Sequence, residues 1–315
     1  MTSSIESFRL TVFRTVAEHL SFTQAAERLH LSQPAVTSHI KVIEEELAVR
    51  LFERSSGGIR LTLAGEKLFA FALEAQRMTE QALQSIGVLT GEHLGRLRLG
   101  ASTTIAQYLL PSLLARFVRL HPRVDLSVIS ANTADVVGEM LASRIDLGLI
   151  EGPPGASDVK VETFVPDEIV VIAGESHVFS DGEEYRVIAP EDLVGEPLLV
   201  RERGSGTRRV VEDALRKAGV DPRILRIVME LDSTEAIKSG VEAGLGIGFV
   251  SRWALRSEQT NRLSVIPVRG LKIVRHFQFI YPSGPEPAGA AGAFLHLSRQ
   301  FRQPYVVPPQ SYPSD

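Results

Sequence analysis

The first sixty residues carry apolar side chains at helical spacing, interrupted by two tight breaks. Apolar residues between positions 5 and 20 cover one broad face and predict a first helix. Ser21, with Gln24 three residues later, has the spacing of a capping box, and Ser32 followed by Pro34 marks another helix start. Three helices are therefore predicted. The third is expected to bury Ala35, Val36, Ile40, Ile43 and Leu47.

The outer side of the third predicted helix is small and polar. A capped helix that follows a shorter one across a tight turn has the shape that enters a DNA major groove. Extended segments at 50–54 and 59–63 flank a turn at 55–58 and predict a two-stranded wing. The alternative is a solvated helix face, and His39 alone has no further support. The residues predicted to face DNA are Thr23, Ser32, Gln33, Pro34, Thr37, Ser38, His39, Lys41, Arg54 and Arg60.

A stretch without proline, from Leu63 to Leu89, follows the wing, and Thr62 is placed to cap it. Small and apolar residues recur there in alternating steps of four and three, the spacing of a coiled-coil seam. The alternative is a helix that packs lengthwise on its own domain. The seam predicts a homodimer through Leu68, Ala72, Ala75, Thr79, Ala82, Ile86 and Leu89.

Beyond Gly91 the pattern changes to short apolar strands that alternate with amphipathic helices. Two such series, at 96–150 and 198–250, predict two α/β lobes built on mostly parallel sheets. Strand-like segments at 159–164 and 168–173 lie between them. The predicted domains are a winged helix-turn-helix at 1–62, a linker helix at 63–90, and a two-lobed domain at 91–303, with lobe I at 91–166 and 271–303, lobe II at 167–270, and a disordered tail at 304–315.

Composition narrows the classes of function. A length of 315 residues suits about two domains, and the absence of cysteine excludes disulfides and thiolate zinc sites. The sequence has neither a secretory leader nor an apolar run that could cross a membrane, so a cytoplasmic protein without a membrane partner is expected. Residues 1–65 hold seven Lys or Arg and seven Asp or Glu. DNA affinity must therefore come from local charge placement.

Two predicted strand-to-helix junctions, at 102–104 and 204–207, carry hydroxyl groups and glycines. Free N–H groups at helix starts suit an anion, and ligands of α/β sheets bind beyond the carboxyl ends of the strands. The alternative is ordinary caps and loops. Arg201 or Arg203 could bind an acid group, whereas Glu151 would disfavour a dianion unless it is paired. The candidate ligand residues are Ser102, Thr103, Thr104, Asn132, Thr133, Glu151, Arg201, Arg203, Ser205 and Thr207.

The glycines at 244–248 suggest a dinucleotide site, but they follow a predicted helix and lead into a strand. A Rossmann fingerprint has the opposite order, so Gly244 is predicted to end a helix. The sequence has no P-loop, HExxH motif or nucleophile elbow, and we predict no cofactor, no metal and no enzyme. An enzyme with a DNA-binding head remains open, because distant residues can converge. A plain solute-binding protein is disfavoured, because the predicted DNA-binding domain at 1–62 has no role in such a protein.

The segment SFTQAAERLHLSQPAVTSHIKVIEEELAVRLFERSSGGIRLTLAG resembles the winged helix-turn-helix of LysR-type transcriptional regulators. The order of head, linker helix and two-lobed domain is similar to that family over essentially the whole chain. The resemblance implies a C-terminal domain like a type 2 periplasmic binding protein. It implies that Gln33 and Pro34 approach base edges and that Arg54 serves the wing.

The resemblance also implies that Ser32, Thr37 and Ser38 contact the phosphate backbone. Position 38 is often arginine in the family, and the wing turn at 55–58 lacks the basic residues that are common there. Both departures lower the positive charge of the DNA-facing surface.

Within the family, GASTTIAQYLLP, RERGSGTRR and LDSTEAIKSGVEAGLGIGFVS resemble the branch that includes regulators of sulfite reductase and of sulfur-anion responses. The predicted function is a sequence-specific DNA-binding transcription regulator that responds to a small anionic metabolite, such as a sulfur oxoanion or small carboxylate. The predicted partners are double-stranded DNA, this effector, further copies of the chain in a homodimer or tetramer, and RNA polymerase.

Overall fold

The computed structural model describes residues 7–55, 58–89, 95–155, 158–175, 177–181, 184–185, 187–255 and 262–301. Its contacts divide the chain into two compact units, Met1–Leu83 and Gln84–Asp315. The tail predicted at 304–315 lies outside the described residues. Across the described part of the chain, no helix is both long enough and apolar enough to cross a membrane.

The first unit begins with three helices, and serine caps fix the starts of the second and third. The Ser21 hydroxyl accepts a hydrogen bond from Gln24 N, and the Ser32 hydroxyl accepts one from Ala35 N, both at 3.3 Å. Each hydroxyl satisfies a backbone donor that the first helical turn leaves free. The helices are α1 (Ser7–His19), α2 (Phe22–Leu29) and α3 (Gln33–Leu47).

These helices share one apolar core. Val36, Ile40 and Ile43 of α3 are buried against α1 and α2, as the stripe predicts. Leu47 departs from the prediction and is exposed. It is the last residue of α3, and Ala48 then takes a left-handed conformation with φ 54°, so the buried stripe ends one turn earlier.

The wing and the long helix follow as predicted. Strands β1 (Phe52–Ser55) and β2 (Gly58–Leu61) pair antiparallel, and helix α4 spans Leu63–Leu89. Thr62 Oγ1 accepts from Gly65 N at 3.1 Å, which confirms the predicted cap.

The predicted seam of α4 needs a correction at its N-terminal end. Ala72 is buried in the core of the first unit, and Leu68 packs against that core. Both side chains therefore stabilise a single chain, because the first turns of α4 close the apolar core of the helices beneath them. Thr79 and the half-buried Ala75 retain accessible surface, whereas the side chains of Ala82, Ile86 and Leu89 lie outside the described ones.

The second unit contains a nine-stranded sheet covered by helices. Its strands and those of a small hairpin are β3 (Arg96–Ser102), β4 (Asp125–Ala131), β5 (Leu147–Ile150), β6 (Val159–Gly174), β7 (Ser180–Asp181), β8 (Glu184–Tyr185), β9 (Leu198–Arg201), β10 (Ile227–Leu231), β11 (Ile247–Ser251), β12 (Leu263–Ile266) and β13 (Ile273–Pro282). Its α-helices are α5 (Thr103–Tyr108), α6 (Leu110–Leu120), α7 (Thr133–Leu141), α8 (Gly206–Lys217), α9 (Thr234–Glu242) and α10 (Gly289–Arg299).

The sheet runs β10-β9-β11-β6-β13-β5-β3-β4, with β12 paired to β6. Strand β3 is parallel to β4 and β5, and β9 is parallel to β10 and β11, which confirms two α/β lobes. The antiparallel pair β6 and β13 runs through the middle and belongs to both lobes. The lobes are thus joined by two continuous strands.

Strand β6 replaces two predicted strands. The register between β6 and β13 shifts beside Phe164, and Pro166 follows opposite His276. A bulge of this kind tolerates a proline that cannot donate to the ladder, so the chain continues as one strand of 16 residues.

The apolar spacing at 104–120 predicts a single helix, but the structure divides this stretch at Leu109 into α5 and α6. Proline stands in the first turn of α6, where the missing N–H costs nothing. The sequence pattern predicts a strand at 224–230, but a three-residue 3-10 turn, Pro222–Ile224, precedes β10, which begins at Ile227.

Gly246 provides a test of backbone packing in this unit. Its φ is +148°, and a Cβ atom there would collide with the carbonyl oxygen of Pro197. We expect Gly246→Ala to lower the free energy of unfolding by about 3 kcal/mol, from overpacking and backbone strain together. Differential scanning calorimetry of the full chain measures the change.

Gly138→Ala is the matched control. Gly138 lies inside α7, and an added Cβ atom meets nothing within 4 Å. This variant should gain about 0.5–1 kcal/mol, because alanine is the better helix former. Equal stability of the two variants would contradict the assigned backbone contact.

Candidate functional site

The first candidate surface is the N-terminal end of α3 with the wing. Gln33, Pro34, Thr37, Ser38 and Lys41 are exposed there. A groove of about 530 Å³ runs between α3 and the wing, and Gln33, Thr37 and Lys41 line its helical side. The structure thus places three of the ten predicted DNA-facing residues along this groove, beside the exposed Pro34 and Ser38.

Four other residues predicted to face DNA are not part of this exposed start of α3. His39 is half-buried, and its ring packs edge-on against Phe8 with centroids 5.3 Å apart. Thr23 and Arg60 are exposed, whereas the side chain of Arg54 lies outside the described ones. His39 therefore helps to pack α3 on α1.

Carboxylates accompany the basic side chains of this surface. Lys41 Nζ lies 3.6 Å from Glu45 Oε1, and Arg60 Nε lies 2.9 Å from Glu53 Oε1 on the paired wing strand. Both pairs are exposed, so neighbouring phosphates can compete for the cations at little cost. The local charge balance matches the even count of acidic and basic residues in the sequence.

The second candidate site lies between the two lobes of the C-terminal unit. Ser102 and Thr133 of lobe I are fully buried, with their hydroxyl oxygens 3.3 Å apart. Asn132 caps α7 by accepting from Asp135 N at 3.0 Å, and Ser205 caps α8 by accepting from Arg208 N at 3.4 Å. The N-termini of α7 and α8 thus face the boundary between the lobes from opposite sides.

The two lobes meet backbone to backbone at this boundary. Ala134 N donates to Gly204 O at 3.3 Å. A Cβ atom on Gly206 would lie 2.8 Å from Gly152 N and 2.6 Å from Thr133 Oγ1. Only glycine permits this approach of lobe II to lobe I.

Arg201 joins the lobes from the end of β9. Its Nη2 donates to Thr103 Oγ1 and to Asp232 O, both at 3.0 Å. Its guanidinium also binds the Glu202 carboxylate at 2.8 and 3.1 Å. Arg201 was predicted to bind an acidic ligand, but its positive charge is thus already paired with the Glu202 carboxylate.

Arg275 is a second buried arginine and was not among the residues predicted from the sequence. Its Nε donates to Asp167 Oδ2 at 2.7 Å, and its Nη1 donates to Thr207 Oγ1 at 2.9 Å and to Glu151 O at 3.2 Å. Burial raises the pKa of Asp167, while the charge of Arg275 and the Ser251 hydroxyl oppose the rise. Charged residues inside the apolar strands β6 and β13 were the available signal.

Arg203, predicted as a candidate donor in the cleft, lies elsewhere. It is exposed in the turn between β9 and α8, and its backbone N–H contacts the Glu230 carboxylate. Arg203 therefore lies outside the buried groups at the lobe boundary, and the prediction that it lines the cleft is corrected. The turn carries residue 203 to the surface, and Arg275 reaches the cluster from the central strands instead.

A further buried contact between the lobes lies beside Arg201. Thr104 Oγ1 and Thr234 Oγ1 are 3.2 Å apart, and the Tyr108 hydroxyl donates to Glu235. Lys238 is only 2% exposed; its Nζ donates to Ala254 O at 3.0 Å and to Glu235 Oε1 at 3.1 Å. Complete hydrogen bonding makes this buried lysine a structural element of the boundary.

The structure therefore brings nine of the ten predicted ligand residues to one boundary between the lobes. They offer hydroxyl groups and helix N-termini beside two buried guanidinium groups. Such groups can bind a small oxyanion. The role of each residue in binding stays a prediction.

Two domain families match the chain. Residues 8–66 match the bacterial regulatory helix-turn-helix protein domain of the lysR family, and residues 90–303 match the LysR substrate binding domain. The chain is 35% identical over 290 residues to the RuBisCO operon transcriptional regulator of Allochromatium vinosum, covering 91% of this chain and 93% of that protein. It is 33% identical over 273 residues to the HTH-type transcriptional regulator CysL of Bacillus subtilis, covering 86% and 89%.

Solved structures agree with both units. The regulatory domain of Synechocystis PCC6803 CcmR, in complex with 2-PG, matches 65% of this chain and 96% of its own, with TM-score 0.59 and 30% identity. A full-length variant of OxyR from Pseudomonas aeruginosa matches 93% of each chain, with TM-score 0.71 and 26% identity. The predicted family and fold class are confirmed, and the prediction that the chain is not an enzyme agrees with relatives named as regulators. The chain belongs to the LysR family of transcription regulators, with a helix-turn-helix that binds DNA and a second domain for a small-molecule effector.

Proposed function

We propose that this regulator binds a small anionic metabolite between the lobes and thereby changes its binding to DNA. The observation that carries the proposal is the convergence of the α7 and α8 N-termini with Arg201 and Arg275 at one buried boundary. An anion there would contact both lobes at once. Its binding would alter lobe closure or dimer packing and hence the spacing of two DNA-binding heads.

The groups at the boundary are suited to bind an acid group, so we propose that the effector carries one. The relatives suggest different sources for it, because one regulates a RuBisCO operon and the CcmR structure contains 2-PG. The similarity to CysL is compatible with the sulfur branch and leaves a sulfur oxoanion as one candidate among several. We therefore propose a small oxyanion or carboxylate, acting on a cytoplasmic regulator.

A thermal-shift screen tests the effector class on the full chain. The probes are sulfite, sulfate, thiosulfate, inorganic phosphate, 2-PG and short carboxylic acids. A ligand that binds only the native state must raise the unfolding temperature, by an amount set by its concentration relative to Kd. No shift with any of these probes would exclude a small-anion effector of the proposed kinds.

Specific DNA binding is proposed to use the exposed end of α3. Gel-shift titration measures the affinity of the full chain for the promoter beside its gene, with and without the anion. Absence of a protein–DNA complex at low salt in either state would contradict the assignment of this surface. Contacts with RNA polymerase and assembly into tetramers are further proposals of the same regulatory role.

Gln33 and Lys41 should contribute differently to DNA binding. We expect Gln33→Ala to cost about 1–3 kcal/mol on the operator and little on unrelated DNA, because a base contact is lost. Lys41→Ala should weaken both DNAs alike and lower the salt dependence, because a phosphate contact is lost. Both residues lie on α3, so the two variants are matched in context. Equal losses on both DNAs for the two variants would refute this division.

We propose that α4 pairs two chains through a seam that differs from the predicted one at its start. Phe71 and Met78 lie seven residues apart on α4 and are 69% and 58% exposed. Their spacing repeats the heptad on a face free of the core contacts made by Leu68 and Ala72. Ala75 and Thr79 can flank this face.

Phe71→Glu tests the seam. Two copies of the side chain leave the interface of a dimer, so the dissociation free energy should fall by about 3 kcal/mol or more. Sedimentation velocity of the full chain measures the monomer–dimer equilibrium. Val178→Glu is the control, because Val178 is 75% exposed and lies in the second unit, away from α4 in sequence. An unchanged equilibrium for Phe71→Glu would show that α4 pairs through another face.

A further inference from the structure

The Glu151 carboxylate faces the start of a helix that belongs to the other lobe. Glu151 directly follows β5 in lobe I and is 1% exposed. Its Oε1 accepts from the Thr207 hydroxyl of α8 at 3.2 Å. Helix α8 has 12 residues, and its positive N-terminal end favours a negative group at this point.

Two buried guanidinium groups surround the same carboxylate. Arg275 Nη2 lies 3.2 Å from Glu151 Oε2, and Arg201 Nη1 lies 4.0 Å from Glu151 Oε1. Arg275 Nη1 also donates to the Thr207 hydroxyl that Glu151 binds. A helix N-terminus, a hydroxyl and two cations thus already hold one acid group, and that group belongs to the protein.

The fit between Glu151 and Arg275 is incomplete. Among the described residues, neither Glu151 Oε2 nor Arg275 Nη2 has a hydrogen-bond partner, although both atoms are buried. Their 3.2 Å separation therefore gives charge attraction without a well-directed hydrogen bond. A buried donor left without a hydrogen bond is unfavourable.

Structural ion pairs elsewhere in the unit are better formed. Arg98 binds the Asp146 carboxylate through Nη2 at 2.6 Å and Nε at 3.1 Å, and Arg144 binds Glu139 through two bonds of 2.6 Å. Each guanidinium presents two donors in a fixed geometry that suits an acid group. A Glu side chain that must reach Arg275 from the end of β5 lacks the freedom to match it, whereas a free oxyanion has that freedom.

We propose that Glu151 is an internal, tethered anion that occupies the place of the effector's acid group, and that the effector competes with it for Arg275 and Thr207. This inference rests on the proposed anionic effector. Displacement of Glu151 would break its bond to Thr207, which joins the lobes. Competition thus links occupation of the boundary to release of the lobe contact.

Glu151→Gln tests the competition. The amide keeps the size of the side chain and removes the competing charge, while Asp167 continues to pair with Arg275. We expect the variant to bind sulfate, inorganic phosphate or 2-PG at least about tenfold more tightly than the wild type, since an adjacent like charge opposes an anion. Isothermal titration calorimetry on the full chain measures Kd.

Glu202→Gln is the matched control. Glu202 also pairs with a boundary arginine, but its carboxylate accepts from Arg201 and not from Arg275 or Thr207 among the described contacts. Its removal adds the same unit of positive charge without freeing Arg275. An equal gain for both variants would show a general charge effect and overturn the proposal.

The remaining outcomes separate the inference from the proposed function. If the wild type binds an anion and Glu151→Gln binds it no more tightly, the tethered-anion proposal is wrong and the effector class stands. If neither protein binds any of the three anions, the anionic effector itself is wrong for these probes, and the proposal is overturned with it. Should Glu151→Gln fail to fold, a crystal structure of the wild type with bound anion decides, because retention of the Glu151–Thr207 hydrogen bond would overturn the proposal.

Discussion

The buried pair of Asp167 and Arg275 is the interaction on which the two-lobed unit depends. The two residues face each other on β6 and β13, the strands that belong to both lobes. From there the guanidinium reaches Glu151 O in lobe I and the Thr207 hydroxyl in lobe II. Removing charges from water is costly, and their attraction offsets this cost only when the geometry is well matched. The pair therefore specifies one arrangement of the lobes more than it adds stability.

The backbones of the two lobes also approach each other closely at this boundary, which limits what can enter between them. Gly152 and Gly206 bring the ends of the two lobes together without side chains between them, and Gly204 O accepts from Ala134 N beside them. Many of the side-chain bonds at this boundary come from short hydroxyl groups and from arginines already shared with carboxylates. A ligand that enters must replace existing bonds with better ones. If the effector binds there, as proposed, a change in lobe contact follows directly from binding.

The DNA-binding unit follows a different principle. Three described basic side chains of α3 and the wing region, Lys41, Arg50 and Arg60, each lie near a carboxylate. A single head thus contributes little net positive charge, and phosphate contacts supply much of the affinity of proteins for DNA. Pairing of two chains through α4 would double the contacts. On the proposed pairing, DNA affinity would depend on dimerisation more strongly than it would in a strongly basic chain.

Local patterns in the sequence determined the helices, their serine caps, the wing, the start of α4 and the two α/β lobes, because caps, apolar periods and turn residues act over a few positions. They also brought nine of the ten candidate ligand residues to the boundary between the lobes, since strand ends of one sheet edge meet by topology. They did not show that β6 is continuous, that Leu68 and Ala72 serve the core of their own unit, or that Arg275 takes the position expected of Arg203. Each of these depends on partners distant along the chain. The continuity of β6 depends on its register with β13, and the burial of Leu68 and Ala72 depends on the core formed by the first three helices. The position of Arg275 depends on its contacts with Asp167, Thr207 and Glu151. Only the tertiary structure decides such contacts, because the burial and charge that make them favourable arise when separate segments meet.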